Sequence, residues 1–391
     1  MSERTNKLNF ISEALNQRRT ELQFRDLETI RPELEGARVS KSGQTKLNFC
    51  SNDYLGLASH PEVIKRSREF TAKFGAGATA SRLVSGNYSI HEELEKKLAE
   101  TFEVEAALLF NTGFQANATV LATLADRNSL VIADKKVHNS LLQGAILSRA
   151  DLQRFNHNDY DHLEDLLKKG QDKSYNRIWV VSETVFSMDG DRSDLEQLIS
   201  LTEQYNALLF SDDAHALGVY GEKGLGFNFR KSGIHISLGT FGKAFGSFGA
   251  FVACSKEMKD YLINFCPGFI YTTALPPAVI GALDASLELI LTMDNERAEI
   301  HRNIELFKNS INEIGFETGD TNSQIIPVII GDEKETLALS KELEKQGFLA
   351  TAIRPPTVEV GASRIRITIT AKHQQKDINQ LLSAFRNWKS A

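Results

Sequence analysis

Short apolar runs separated by helical patterns occupy the chain from about residue 46 to residue 290. The runs are nearly continuous rather than alternating, which is typical of strands buried on both faces of a sheet. They cover residues 106–110, 130–133, 178–182, 207–211 and 249–253. This alternation of strands and helices predicts an α/β fold with a doubly wound, mostly parallel sheet. Because ligands bind beyond the carboxyl ends of the strands in such sheets, we expect the chemistry there.

Different patterns flank this region. Residues 1–45 are polar and charged, with one helical pattern over residues 8–22, and we interpret them as an N-terminal arm. From residue 291 the pattern predicts helices at 296–314, 335–346 and 375–389 and extended segments at 325–330, 348–353 and 364–369. The chain is therefore predicted to comprise the arm, a large domain over residues 46–290 and a smaller α+β C-terminal domain over residues 291–391.

The start of one helix is marked by the residues Ser89-Ile90-His91-Glu92, which match a capping box. In that motif the side chains of the first and fourth residues each accept a hydrogen bond from the other's backbone N–H. We expect Ser89 and Glu92 to form these bonds and the helix to run to about Phe102.

Charge and cysteine content narrow the functional class. The net charge is −6, from 45 basic and 51 acidic residues, which argues against nucleic acid or an anionic membrane as the main partner. No run of about 18 apolar residues is present to span a membrane, and the N-terminus lacks the pattern of a secretory signal. The three cysteines form no CxxC pair, which fits a reducing compartment. We therefore expect a soluble, cytoplasmic protein.

One candidate for chemistry is a lysine that lies among glycines in residues 239–249. Since glycines let backbone and ligand approach closely, Lys243 is a candidate Schiff-base lysine. A phosphate-loop interpretation fails, because that motif requires Gly at position 237 and Ser or Thr at position 244, where this chain has Ser237 and Ala244. The alternative is an ordinary lysine in a surface turn.

A second candidate is the carboxylate of Asp212, which directly follows the apolar run at 207–211. A carboxylate there can keep the pyridine nitrogen of a pyridoxal ring protonated, which makes the ring an electron sink. His215, three residues on, can reach the phenolic oxygen of the same ring. The alternatives are a solvated loop after a buried strand and a metal site, although no other clear metal ligands accompany these residues.

Two more candidates follow predicted strands. Gly113 lies between a strand and a helix, and such a junction offers N–H groups and the positive end of the helix dipole to a phosphate. His138 lies just past the run at 130–133, where an imidazole can stack on a cofactor ring. Alone, these would be an ordinary turn and a structural histidine. Together with Asp212 and Lys243, in this order, they indicate a fold-type I enzyme that uses pyridoxal 5'-phosphate (PLP).

These motifs give the chain a specific resemblance to the α-oxoamine synthase family of PLP-dependent transferases. The matching stretches span nearly the whole chain, at residues 51–56, 85–86 with 91–95, 183–190, 212–215, 239–249, 351–357 and 364–366. The resemblance implies the fold-type I architecture, with a large PLP-binding domain and a small C-terminal domain. It also implies a homodimer whose subunits share their active sites.

The resemblance further implies a role for each matching cofactor residue. Lys243 would be the Schiff-base lysine, Asp212 would pair with the ring nitrogen, and His138 would stack on the ring. His215 and Ser187 would lie near the phenolic oxygen. The phosphate would be held by Gly113, Phe114 and Thr240, with Thr272 or Thr273 contributed by the neighbouring subunit.

Other residues are implied for the substrates. Arg366 would bind the amino-acid carboxylate, since guanidinium suits bidentate binding of a carboxylate, and Glu183 and Asn52 would be supporting polar residues. If the acyl chain ends in a carboxylate, burying that anion requires a cation. Arg25 in the arm and Arg354 are the candidates, and the alternative for Arg25 is a solvated side chain.

Within the family the chain is most similar to the members of biotin synthesis. This similarity implies a decarboxylative condensation of L-alanine with a pimeloyl thioester, delivered on coenzyme A or on acyl carrier protein. The alternative within the family is a sister enzyme: a 2-amino-3-ketobutyrate ligase, a 5-aminolevulinate synthase or one resembling serine palmitoyltransferase. Outside it, the alternatives are a non-catalytic partner subunit and an aminotransferase on the same fold.

Overall fold

A computed structural model describes residues 7–390, so six residues of the predicted arm and Ala391 of the predicted C-terminal domain lie outside it. Thirteen α-helices lie in this range. In chain order they are α1 (Asn9–Thr20), α2 (Pro61–Phe74), α3 (Ser89–Thr101), α4 (Gly113–Leu124), α5 (Asn139–Ser148), α6 (Tyr160–Gln171), α7 (Leu195–Gln204), α8 (Lys256–Phe265), α9 (Pro267–Ile270), α10 (Pro277–Ile290), α11 (Asp294–Glu313), α12 (Glu333–Lys345) and α13 (Gln375–Ser390).

The same residues form fourteen β-strands. In chain order they are β1 (Ile30–Pro32), β2 (Arg38–Lys41), β3 (Gln44–Asn48), β4 (Ala106–Phe110), β5 (Ser129–Asp134), β6 (Asp151–Phe155), β7 (Arg177–Glu183), β8 (Leu208–Asp212), β9 (Ile236–Thr240), β10 (Ala250–Cys254), β11 (Ile325–Gly331), β12 (Phe348–Leu349), β13 (Thr351–Ile353) and β14 (Ser363–Thr368).

The described chain folds into two compact units. Unit 1 contains residues 7–51, 302–369 and 373–390, and unit 2 contains residues 52–301 and 370–372. Unit 1 has a four-stranded sheet in the order β1-β2-β3-β12 and a three-stranded sheet in the order β11-β14-β13. The parallel pairing of β3 with β12 joins the N-terminal segment to C-terminal residues about 300 positions away.

Unit 2 is built on a seven-stranded sheet in the order β4-β10-β9-β8-β7-β5-β6. The strands from β9 to β6 pair in parallel, and β10 runs antiparallel to both β4 and β9. Consequently β4 points the same way as β9, and the carboxyl ends of all strands except β10 lie at one edge. The predicted doubly wound, mostly parallel α/β sheet is confirmed.

Helices cover both faces of this sheet, which explains the continuous apolar runs. Along β5, Val131 and Ala133 pack into a core that includes residues of α4 and α5, whereas Leu130 and Ile132 pack into a second core with α6 and α7. Since successive side chains of a strand point to opposite faces, a strand covered on both sides must be apolar at every position.

Five strands were not predicted: β1 and β2 lie in the residues interpreted as a polar arm, β3 lies at its end, and β6 and β9 belong to the large sheet. β6 is a half-exposed edge strand with the polar sequence DLQRF, and β9 contains Ser237 and Gly239, so neither gives an apolar run. The predicted capping box is also wrong in detail. Ser89 is the first helical residue of α3, and His91 Nδ1, rather than Glu92, accepts the bond from the backbone N–H of Tyr88, at 3.2 Å.

Among residues 7–390, no helix is long and apolar enough to cross a bilayer. The described histidine, cysteine, aspartate and glutamate side chains include no group of three placed to hold a metal ion.

Candidate active site

The predicted PLP residues of unit 2 follow strands whose carboxyl ends lie at the same edge of the sheet. Gly113 begins α4 after β4, His138 precedes α5 after β5, Asp212 ends β8, and Lys243 follows β9. The strand registers keep these ends level, because Ala250 of β10 lies opposite both Phe110 of β4 and Thr240 of β9. The topology therefore brings together side chains that are up to 130 residues apart in the sequence.

The junction of β4 and α4 meets the end of β9 closely. A Cβ atom on Gly113 would lie 2.4 Å from Thr240 Cγ2, so only glycine fits this approach. Thr240 Oγ1 is buried and has no hydrogen-bond partner. The first N–H groups of a helix have no partner within the helix, and the N-cap hydroxyl of Thr112 occupies only that of Gln115, at 3.0 Å. A phosphate group accepting from Thr240 and from the first turn of α4 would satisfy these donors.

The other predicted phosphate residues lie near this junction. Asn111 Nδ2 donates to Thr272 Oγ1 at 3.0 Å and to the Thr273 carbonyl at 2.8 Å within the same chain. The Phe114 side chain is half exposed, and its backbone lies in the first turn of α4. The contribution of Thr272 or Thr273 to a neighbouring subunit stays a prediction.

Asp212 and Asp213 have opposite surroundings, although they are adjacent. Asp212 accepts from Asn117 Nδ2 at 2.7 Å and from the N–H of Ala214 at 2.9 Å, on the side of α4. Asp213 accepts from the Thr184 hydroxyl at 2.5 Å and from the backbone N–H groups of Phe227 and Asn228. Burial, only partly offset by these hydrogen bonds, raises the pKa of Asp213 to about 6. Asp212 is therefore the carboxylate on the side of α4 and α5.

His138 is the N-cap residue of α5 and lies between charged groups. Its backbone N–H donates to Glu183 Oε1, and its Nδ1 lies 2.7 Å from Ser140 Oγ. Burial lowers the pKa of His138, with Asp212 acting in the opposite direction and Lys243 in the same direction. Burial, together with the charge of Asp212, raises the pKa of Glu183 well above its ordinary value.

His215 forms a contact that the sequence did not predict. Its Nδ1 lies 2.6 Å from the hydroxyl of Tyr54, which is fully buried and lies 161 residues earlier. The same hydroxyl donates to Asn52 Oδ1 at 3.4 Å. Tyr54 belongs to the stretch 51–56 that carried the family resemblance, and that stretch was the only signal for it. Ser187 is buried in the same unit.

Lys243 lies in the turn between β9 and β10. The turn closes with a bond from the Gly246 N–H to the Lys243 carbonyl at 2.8 Å. Gly246 has φ +61°, and a Cβ atom there would lie 2.1 Å from the backbone nitrogen of Ala58. Glycine is therefore required at this position by both backbone conformation and space. The glycine-rich context of Lys243 reflects this tight turn.

The three predicted substrate arginines all belong to unit 1. Arg366 is buried on β14, where Nη1 donates to Thr368 Oγ1 at 2.8 Å. Arg354 donates to the carbonyls of Leu22 and Phe24, the latter at 2.8 Å. Arg25 Nη2 donates to Thr357 Oγ1 at 3.1 Å. Arg25 and Arg354 thus lie in one cluster, and the roles of all three arginines stay predictions.

Comparison with known proteins identifies the family. A family model described as class I and II aminotransferases matches residues 44–385. The chain belongs to this family. Within the family, a protein from Desulfosudis oleivorans, provisionally named 8-amino-7-oxononanoate synthase, is 46% identical over 98% of this chain and 99% of its own length.

Solved structures of the family agree with this assignment. A structure of serine palmitoyltransferase (SPT) with PLP has a TM-score of 0.92 and 26% identity, and covers 98% of each chain. An 8-amino-7-oxononanoate synthase from Francisella tularensis has a TM-score of 0.76 and 26% identity, and covers 88% of this chain and 97% of its own. The resemblance to the α-oxoamine synthases and the fold-type I architecture are confirmed, and the protein is a PLP-dependent acyltransferase.

The residues of the candidate site fit this cofactor. Thr240 and the first turn of α4 offer unsatisfied donors for its phosphate, and Asp212 offers an anion held in place by two donors. Lys243 lies close enough to affect the pKa values of both His138 and Glu183. Hence a carboxylate, an imidazole and a primary amine belong to residues at the same edge of the sheet.

Proposed function

We propose that this protein catalyses the decarboxylative condensation of L-alanine with a pimeloyl thioester, carried by coenzyme A or by acyl carrier protein. The products are 8-amino-7-oxononanoate, carbon dioxide and the free thiol, and the step belongs to biotin biosynthesis. The proposal rests chiefly on the near full-length identity of 46% to a relative with that provisional name. The grouping of Lys243, Asp212 and His138 in unit 2 supports it.

The proposed reaction assigns specific work to these residues. Bound PLP supplies an electron sink for a carbanion at the α-carbon of the amino acid. Lys243 would hold the cofactor covalently, and its amine, once free, would take the α-proton on Nζ. The carboxylate of Asp212 would keep the proton on the ring nitrogen. His138 would pack against the ring.

The remaining assignments are supporting roles. The phenolic oxygen is assigned to His215 and Ser187, and Glu183 and Asn52 are polar residues that support the ring side of the site. Arg366 is assigned to the carboxylate of L-alanine. The phosphate is assigned to Gly113, Phe114 and Thr240, with Thr272 or Thr273 of the partner subunit.

The shared site requires a homodimer, which the surface of unit 2 supports. Several large apolar side chains are exposed there, namely Leu83, Val84, Phe114, Ile146, Leu147, Phe248 and Tyr271. Exposed apolar surface of this kind is typical of protein interfaces. Analytical ultracentrifugation of the holoenzyme is expected to give a dimer, and a monomer at micromolar concentration would exclude shared sites.

The covalent assignment is tested at Lys243. Borohydride reduction of the holoenzyme, followed by peptide mapping, is expected to find the pyridoxyl label on Lys243. The Lys243→Ala variant should lose turnover, while Lys259→Ala, at a lysine paired with Glu95 on α3, should keep it. A label on another lysine would overturn the assignment.

The substrate assignment is tested by a matrix of amino acids and thioesters. L-Alanine, glycine and L-serine are each combined with pimeloyl, acetyl, succinyl and palmitoyl thioesters, and free thiol and CO₂ are measured. The proposal predicts the highest kcat/KM for L-alanine with the pimeloyl donor. The TM-score of 0.92 to SPT favours an SPT-like activity as the second candidate. A preference for L-serine with a palmitoyl donor would establish that alternative.

A further inference from the structure

Two buried side chains, to which the sequence analysis gave no role, connect Asp212 to His138. Asn117 lies on α4 and Ser140 lies on α5, and both are almost fully buried. Asn117 Nδ2 lies 2.7 Å from Asp212 Oδ2 and 3.0 Å from Ser140 Oγ. Ser140 Oγ in turn lies 2.7 Å from His138 Nδ1. Three hydrogen bonds therefore run without a gap from the carboxylate to the imidazole.

The chemistry of the donors fixes the direction of each proton in this series. The Nδ2 atom of Asn117 carries two hydrogens and accepts none, while ionised Asp212 only accepts. The opposite orientation of the amide would place Oδ1 against the carboxylate, where two acceptors repel. Ser140 Oγ therefore accepts from Asn117. In the described contacts its single hydrogen has one acceptor in reach, His138 Nδ1, and therefore points there.

This direction determines the protonation of the histidine. An Nδ1 atom that accepts a hydrogen bond carries no proton, so His138 is neutral and its proton lies on Nε2. The backbone N–H of Ser140 also donates to Nδ1, at 3.3 Å, which acts in the same sense. The orientation leaves Asn117 Oδ1 buried without a partner. Such an unsatisfied acceptor is costly, and the charge-assisted bond to Asp212 offsets that cost.

We propose that Asn117 and Ser140 are positioning residues that hold His138 as the neutral Nε2–H tautomer and orient the carboxylate of Asp212. The inference rests on the proposed function, because it matters for catalysis only if His138 and Asp212 contact the cofactor ring. A neutral imidazole can stack on a protonated pyridine ring, whereas an imidazolium would be repelled by it. The charged groups that face His138 are Asp212 and Lys243, and Glu183 accepts from its backbone.

The first test reads the tautomer directly. Histidine-selective ¹⁵N labelling of the holoenzyme gives the imidazole resonances, and the spectrum of a His138→Gln variant assigns those of His138. The expected result is a protonated Nε2 and an unprotonated Nδ1. In Ser140→Ala the tautomers are expected to mix, while Ser148→Ala, which removes another buried hydroxyl from α5, should leave His138 unchanged. A proton on Nδ1 in the unmodified protein would overturn the proposal, as would an unchanged tautomer in Ser140→Ala.

The second test measures the coupling between the two residues. Asn117→Leu and Ser140→Ala are each expected to lower kcat/KM, the serine change by about five- to tenfold, which corresponds to one hydrogen bond. Residues of one network are non-additive, so the double variant should lose less than the product of the single losses. Losses that multiply would show that the two side chains act separately, contrary to the proposal.

The two hypotheses fail in different ways. If the substrate assignment is wrong, the matrix of thioesters changes but the tautomer of His138 does not. If His138 does not contact the ring, its ¹⁵N resonances will be the same before and after PLP is removed, which would overturn the catalytic part of this proposal. If a variant does not fold, the tautomer of the unmodified protein still decides the matter.

Discussion

Asp212 and Asp213 illustrate how much one position along a strand changes a side chain. The sequence places both at the end of an apolar run, but the alternation of the strand points them to opposite sides. Asp212 accepts from Asn117, and Asp213 accepts from Thr184 and from the backbone at 227 and 228. Their expected contributions differ accordingly: Asp212 to the rate, and Asp213 to the stability of the fold.

Asp212→Asn keeps the shape of the side chain but removes its charge. We expect this variant to fold and to lose at least about a hundredfold in kcat, because an uncharged amide no longer stabilises the protonated ring. Exchange of the α-proton of L-alanine in D₂O, followed by NMR, is the measurement. Asp213→Asn is the matched control. It should lower the midpoint of unfolding and leave the rate of α-proton exchange largely unchanged. Near-normal exchange in Asp212→Asn would contradict the role.

Tyr54→Phe removes a single hydroxyl that lies 2.6 Å from His215 Nδ1. The bond holds the imidazole in place, so its loss should lower kcat by about tenfold, the magnitude of one buried hydrogen bond. In a His215→Asn background the same change should have little further effect. Tyr205→Phe, at a partly exposed tyrosine bonded to Glu164, should not change kcat. An equal loss of kcat in the unmodified protein and in His215→Asn would show that Tyr54 does not act through His215.

At the scale of elements, His157 joins two segments that carry predicted site residues. Its Nδ1 lies 2.9 Å from Asp134, at the end of β5 and four residues before His138. Its Nε2 lies 2.6 Å from Asp191, in the loop that also carries Ser187. Burial alone would lower the pKa of His157, but the two aspartates outweigh it and raise the pKa to about 9. A protonated histidine thus connects the two segments.

This raised pKa predicts how stability depends on pH. The folded state binds the His157 proton more tightly than the unfolded state, whose pKa is about 6.5. The contribution, on the order of 3 kcal/mol, is complete below pH of about 6.5 and is lost as the pH rises through about 9. Denaturant unfolding between pH 6 and pH 10 should show this loss. In His157→Gln the free energy of unfolding should be lower at pH 6.5, and it should change less as the pH rises above that value.

The control for this prediction is a second histidine of the same region. His162 accepts from the N–H of Asn156, and His162→Gln should keep the pH dependence of the unmodified protein. If His157→Gln shows the same decline with pH as the unmodified protein, another group is responsible and the aspartate–histidine pairing does not contribute as described.

At the scale of the whole molecule, unit 1 joins N-terminal and C-terminal segments of the described residues. The carbonyls of Leu22 and Phe24 accept from Arg354, and Arg25 donates to Thr357, across separations of 330 to 332 residues. A guanidinium that bonds two carbonyls is a positional contact, so Arg354 holds the N-terminal segment in place. Arg25 is exposed and bonds only one neutral hydroxyl in the described contacts, which makes it the better candidate for an acyl carboxylate.

We therefore predict that Arg25→Ala raises the KM for a pimeloyl thioester by about tenfold or more, as expected for the loss of a charge-assisted bond. The KM for a heptanoyl thioester, which has the same chain length but no distal carboxylate, should not change. Exchange of the α-proton of L-alanine should be normal. An equal rise of KM for both thioesters would indicate that Arg25 orders the N-terminal segment instead. An unchanged KM for the pimeloyl thioester would mean that another residue binds the distal carboxylate.

The sequence by itself determined the class of fold and most of the candidate chemistry. A strand covered on both faces is apolar at nearly every position. Five strands of the large sheet could therefore be predicted from their apolar runs, without knowledge of the strands beside them. Residues that follow these strands could be proposed as site residues, because parallel strands place their carboxyl ends at one edge of the sheet. His138, Asp212 and His215 could thus be proposed from their positions at predicted strand ends. Lys243 follows β9, which was not predicted, and was proposed from its glycine-rich context and the family motif.

The tertiary structure alone decided contacts that depend on distant partners. β6 and β9 are strands because of their neighbours in the sheet, and their own residues do not form an apolar run. Three such contacts join positions far apart in the sequence. Asp212 and Asn117 are 95 residues apart, and Tyr54 and His215 are 161 residues apart. Arg354 is about 330 residues from the N-terminal carbonyls that it binds. A hydrogen bond is a relation between two atoms in space, and no periodicity along the chain encodes it.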